Sequence, residues 1–293
     1  MRSNNPVFNR SPEFNGQYTD TQTYAGSGSN YPGYGAPQQN PSDPSTWSVG
    51  TPQDQQAGPV ERMTVDSVVQ KSAITFGLVL VMAALTWAYI GDIATGTALS
   101  DQQNLAQLST ALLVGSGGAF VLSLVNSFKR VISPALVLVF AAFEGVALGA
   151  LSKAFEVQFY DGIVMQAVLG TFAAFAGTLA AYKFFDIQVG NRFRTFTIAA
   201  MFGIVGLGLL ELVLSLFGIS TGLFGFGTLG LLMAIAGLVL GIFMLVLDFD
   251  FVEKGVAVGL PERESWRAAF ALTVSLVWIY TNLLRILAIL RGD

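Results

Sequence analysis

The sequence predicts an all-α membrane protein, a seven-transmembrane-helix bundle preceded by a disordered N-terminal tail. Three observations carry that prediction. Hydrophobic residues make up 53% of the 293 and charged residues only 12%, about half the charged share of a soluble domain, and the mean hydropathy is +0.58. Seven apolar runs follow residue 62, each close to the ~20 helical residues that cross a hydrocarbon core. Lysine and arginine then alternate between the two sides of those runs, as the cations that set topology do.

Residues 1–62 are rich in Asn, Gln, Gly, Pro, Ser and Tyr, with Tyr18, Tyr24, Tyr31 and Tyr34 spaced among them. Such a composition buries too little apolar surface to offset the entropy of ordering, so a solvated tail is expected. It has no apolar core of the kind an export signal needs. Residues 63–293 form the membrane domain. Val65, Val68 and Val69 lead into a first span at 72–90. The second, 105–125, carries Gly115-Ser116-Gly117-Gly118, where backbones can approach closely. Pro134 opens the third, 134–151, with Lys153, Glu156 and Asp161 read as the loop after it. The fourth is 162–182 and the fifth 196–217. An uncharged glycine-rich turn, 218–227, precedes the sixth at 229–247, which ends in Asp248-Phe249-Asp250-Phe251-Val252-Glu253-Lys254. The seventh is 266–290; a re-entrant last segment, leaving six spans, is the alternative. On this count Arg62, Lys71, Lys129, Arg130, Lys183, Arg192, Arg194, Lys254, Arg263 and Arg267 share one side, against Lys153 and Arg291 on the other. The positive-inside bias puts the tail in the cytoplasm and the C-terminus outside.

Four ionisable groups lie in or beside the apolar runs: Glu144, Glu211, Asp248 and Arg285. A charge near the bilayer centre costs at least about 2.5–3.5 kcal/mol, so each must face protein or water. Glu211 and Arg285 both fall in the outer half; they form an ion pair, or each snorkels separately. Glu144 is read as a proton- or cation-accepting group on a cavity, with helix-to-helix hydrogen bonding as the alternative. Asp248 stands at the mouth of the sixth span. Asp250, two residues on, points elsewhere on a helix.

Chemistry is narrowed by what is missing. With no cysteine and no histidine, there are no disulfides, thiolate metal sites or imidazole bases. There is no His-Glu-x-x-His, no phosphate-binding loop and no nucleophile elbow, and only Asp248 would suit an aspartyl intramembrane protease. An enzyme is not expected, nor a bound cofactor, nor nucleic-acid binding, because the basic residues serve topology and leave no basic stripe.

The chain resembles the Bax inhibitor-like (YccA-type, transmembrane Bax inhibitor motif) family. The resemblance is carried by Ser133-Pro134-Ala135, Phe143-Glu144-Gly145 and Leu148-Gly149, by Tyr182-Lys183-Phe184-Phe185-Asp186, and by Asp248 with Val252-Glu253-Lys254. The long Gly/Gln/Tyr tail looks like the actinobacterial branch. The resemblance implies a seven-helix bundle with a central last helix in a bacterial cell membrane. It also implies a pH-sensitive calcium leak gated by two hydrogen-bonded aspartates on the sixth and seventh helices. Asp248 matches the first; the seventh segment has no acid, and Ser275 or Asn282 is left as its polar partner. Two functions are therefore carried forward. One is a cation pathway on which Glu144, Asp248 and Asp250 converge, with calcium favoured because hard oxygen ligands are what the sequence offers. The other is a non-conducting modulator of a membrane protease or other membrane partner, contacted through the tail.

Overall fold

The structure, a computed structural model, describes residues 61–93, 99–159 and 162–292. Of the expected tail only Glu61 and Arg62 are among them, and Asp161 is not. Seven helices follow in order: α1 (Val65–Ile90), α2 (Leu99–Phe128), α3 (Pro134–Phe159), α4 (Ile163–Phe184), α5 (Asn191–Leu216), α6 (Thr228–Val258) and α7 (Glu264–Arg291). All seven are long and apolar enough to cross a membrane, so the chain is a multi-pass membrane protein. The 28 residues of α7 suffice for a full span, and the six-span alternative is set aside.

Several boundaries differ from the sequence prediction. α3 continues to Phe159, so Lys153 and Glu156 belong to the helix rather than to a loop. Glu156 then caps the next helix: its carboxylate accepts the N–H groups of Gly162 (2.7 Å) and Val164 (3.4 Å), donors that a helix N-terminus leaves unsatisfied. α6 runs eleven residues beyond Leu247 and stops only at Gly259, whose left-handed φ of 72° closes the helix. Asp248 and Asp250 thus lie inside a helix, not at its end. α1 opens on a capping box in which the Thr64 and Ser67 side chains each accept the other's backbone N–H at 3.1 Å.

α7 is the axis of the bundle. It packs against α1, α3, α4 and α6, while α2 lies against α1 and α3, and α5 touches only α6. Burial follows this order, at 50% of the apolar window of α7 against 6% of that of α5. Close helix contacts rest on glycine. A Cβ at Gly145 would stand 2.5 Å from the Val79 carbonyl oxygen and one at Gly149 2.5 Å from that of Ala83, so α3 meets α1 backbone to backbone.

Side-chain contacts establish the alternation of the spans. On one face, here called the basic face, Arg267 donates to the carbonyls of Lys129 and Arg130, Lys71 pairs with Glu262 at 2.6 Å, and the Tyr182 hydroxyl donates to Glu253. On the far face Lys153 pairs with Asp92 at 3.1 Å and lies 4.9 Å from the Trp87 ring centroid. There too Phe226, from the turn before α6, packs on Phe155 and Phe159.

Gly149→Val is expected to destabilise the bundle by about 1–3 kcal/mol, the usual cost of forcing atoms into a packed interior, with Ala83 as the obstacle. Thermal unfolding in detergent measures it. Gly203→Ala on α5, where an added Cβ meets nothing within 4 Å, serves as the control and should not lower the transition, since alanine favours a helix interior over glycine.

Candidate functional site

Among the described residues, the seam between α6 and α7 carries two side-chain hydrogen bonds from one helix to the other. Gly237 and Gly241 bring the helices together. A Cβ on the first would meet the Asn282 amide at 2.4 Å, and one on the second would meet Ile279 and Trp278 at 2.8 and 2.9 Å. At that spacing the Trp278 indole N–H reaches across to the Gly237 carbonyl at 2.8 Å. Toward the basic face, three residues before Trp278 on α7 and seven after Gly241 on α6, the Ser275 hydroxyl donates to Asp248 Oδ2 at 2.5 Å. Asn282 does not take part: its amide donates to the Trp278 carbonyl of its own helix at 2.8 Å. Of the two expected partners for Asp248, Ser275 is the one in reach.

Asp250 is buried, with its carboxylate 2.7 Å from the Lys254 ammonium one turn on. It therefore stands apart from Asp248, as a two-residue offset on a helix requires. Glu144 is the larger departure from expectation. It was expected to converge with Asp248 on one interior, but α3 and α6 do not touch, and α7 stands between them. Ser275, Ile279 and Leu272 turn toward α6, whereas Val274 and Tyr280 pack with residues of α3. The glycine beside Glu144 serves the α1 contact instead. Of the two alternatives for Glu211 and Arg285, an ion pair or separate snorkelling, no pair within 4.0 Å occurs among the described residues, although the Glu211 charge still acts on Arg285. Glu211 accepts from the Thr221 hydroxyl at 2.7 Å, and Arg285 lies over the Phe224 ring, 5.4 Å from its centroid. The turn before α6 fills the space between α5 and α7, which make no contact.

The sequence reading missed a strap at the basic face. The Met63 N–H donates to the Leu260 carbonyl (2.7 Å) and the Glu262 N–H to that of Glu61 (2.8 Å), an antiparallel bridge pairing Arg62 with Pro261. Met63, 2% exposed, is buried with Leu245 and Phe249. The Ser67 and Ser265 hydroxyls bond at 2.7 Å, and Lys71 donates to Glu262. The segment leading into α1 is thus fastened to the loop joining α6 and α7. Its one legible signal was Lys71 at the mouth of a span. The Glu61 carboxyl is pushed above the ordinary range by its bond to the Glu262 carboxyl and by that group's charge. Glu262 is pulled below it by the Lys71 hydrogen bond first and the Glu61 bond second.

A family model described as Bax inhibitor 1 like matches residues 5–292. No curated protein was found to match the chain.

The two shifts act on the strap in opposite senses. Glu61's contribution is complete below the ordinary carboxylate pKa and is lost as pH rises through its raised value. Glu262's is complete above the ordinary pKa and is lost as pH falls through its lowered value. Hydrogen exchange at the Met63 amide, corrected for intrinsic rate, should therefore show greatest protection in the acidic window between them. Glu61→Gln should remove the decline on the alkaline side, because a neutral amide still donates to Glu262. Protection that follows the same curve in both proteins would disprove the linkage.

Proposed function

The chain belongs to the Bax inhibitor 1 like family, and from that premise we propose that it is a cation leak of the bacterial cell membrane. Calcium is the favoured ion, the basic face lies in the cytoplasm, and no catalysed reaction is assigned. The observation that supports this most is the contact of Asp248 with Ser275 across the α6–α7 seam. Where the family resemblance implies two aspartates, this seam carries one carboxylate and one hydroxyl. A hydrogen bond to a charged group contributes about 1.5–3 kcal/mol, enough to hold two helices together and weak enough to open.

Asp248 is held inside the bundle. Its partner Ser275 lies eleven residues into α7 from Glu264, about 16 Å at 1.5 Å per residue, and Met63, Leu245 and Phe249 pack together toward the basic face, so a cation reaches the carboxylate only when the helices separate. When α6 and α7 part, the freed carboxylate offers the hard oxygen that calcium prefers. The route follows the seam, and Glu144, behind α7, is not on it.

Purified protein in liposomes should pass calcium faster than empty liposomes, read with an enclosed indicator dye. Ser275→Ala should raise the flux about tenfold, since about 1.4 kcal/mol is a factor of ten. Asp248→Asn, which keeps an acceptor for Ser275 and loses the charge, should lower it. Flux no greater than that of empty liposomes rejects conduction.

The strap favours a second reading, a modulator of a membrane partner such as a protease. A partner gripping the tail would pull on residues 61–64 and, through the bridge to Pro261, on the α6–α7 loop. Removing residues 1–60 should then abolish the partner-dependent phenotype and leave helical content and thermal stability unchanged; a phenotype that survives the deletion discards this reading.

A further inference from the structure

α1 and α4 flank a common stretch of α7 without their backbones touching. The cleft between them has two compartments, of about 440 Å³ toward the far face and about 680 Å³ toward the basic face. Phe76 and Phe172 line both and divide them, their rings meeting edge to face with centroids 6.1 Å apart. The cleft opens sideways: Val69, Leu80, Met165 and Phe172 on its walls are 45–63% exposed.

Most polar side chains on these walls are satisfied within the protein, and the Ser72 hydroxyl, on the basic-side wall, is the exception among the described residues. Ser152 bonds Tyr280, Glu156 caps α4, and Tyr182 bonds Glu253. An apolar cleft of this kind does not hold water, and empty space forfeits the dispersion contacts of its lining. Its length identifies what fills it. Along α1 the basic-side compartment runs from Val65 to Phe76 and the far-side one from Phe76 to Trp87. Each distance is about 16 Å of helix rise, and half of a hydrocarbon core is about 15 Å. The aromatic pair therefore stands at the bilayer midplane, and each compartment has the depth of one leaflet. A partner's transmembrane helix, about 10 Å across, could not lie along a cleft bridged by two rings.

We propose that the α1–α4 cleft is a binding site for phospholipid acyl chains, one from each leaflet, whose ends meet at Phe76 and Phe172. The full chain is reconstituted in liposomes containing a phospholipid with a photoactivatable diazirine on its acyl tail, and adducts are mapped by peptide mass spectrometry. Adducts should accumulate on Leu80, Met165 and Phe172 several-fold above Phe202 and Leu212 of α5, which are as exposed and line neither compartment. Ala73→Phe and Ala84→Phe, both at exposed positions, should each reduce labelling in their own compartment, basic-side and far-side respectively. Labelling equal to that of α5, or unchanged in both variants, means passing annular lipid and overturns the proposal. Stronger labelling of the cleft by a water-soluble diazirine means a hydrated cleft and overturns it as well.

Discussion

The backbone-close contact of α6 with α7 is the constraint on which the rest of the bundle depends. α7 is the surface on which α1, α3 and α4 are also assembled, and its position is fixed where Gly237 and Gly241 admit Asn282, Ile279 and Trp278. In hydrocarbon an unpaired polar group costs several kcal/mol, so a seam that carries Trp278, Asn282, Ser275 and Asp248 must satisfy each. The short approach does this for two of them with single-residue reach, indole to carbonyl and hydroxyl to carboxylate, while the Asn282 amide is satisfied within its own helix. Longer side chains in place of the glycines would separate the helices and break all the cross-helix bonds together.

The hairpin of α6 and α7 is then fastened at both ends. At the basic face the strap ties the α6–α7 loop to the start of α1 through the Met63 and Glu262 amides, with Met63 plugged between the helices. Toward the far face Tyr280 bonds Ser152 of α3. α5 has no comparable tie. It meets α6 alone, and its far end is held by Thr221 on Glu211. Freedom to move is accordingly greatest at α5 and at the turn that follows it, while any parting of α6 from α7 has to work against the strap.

Much of this was legible in the sequence, and what was missed shares a cause. Hydropathy and the alternation of Lys and Arg gave seven spans because both signals are one-dimensional. The partner of Asp248 on the last helix came from the family resemblance, which left Ser275 and Asn282 both open, and the contact itself selects Ser275. Azimuth was not legible. Glu144 and Asp248 belong to helices on different sides of α7, and Glu211 and Arg285 to helices separated by a turn, and no periodicity in one helix reports how its neighbours are arranged. Contacts between distant short segments were likewise silent. A two-residue bridge at Arg62 and Pro261 has no pattern, and Glu156 as the cap of α4 reads as a loop charge until α3 is seen to continue. The end of α6 was misjudged because the charges after Leu247 resemble an exit from lipid, whereas Phe249, Val252 and Val256 keep an apolar face.

The choice of partner along α6 follows the medium it passes through. Around Gly237 and Gly241, in hydrocarbon, α6 contributes only backbone and receives donors from α7. At about 30 Å from its start, Asp248 is the first charge that the helix carries, and a hydroxyl suffices for it. A carboxylate inside the bundle costs at least about 2.5–3.5 kcal/mol, which a single bond of about 1.5–3 kcal/mol barely offsets. Half a turn further, Asp250 takes a full ion pair with Lys254, whose side chain is 61% exposed while that of Asp250 is 10% exposed. The Lys254 ammonium is the one of these partners that reaches water, so the partners along α6 pass from backbone to hydroxyl to ammonium as the helix approaches the basic face.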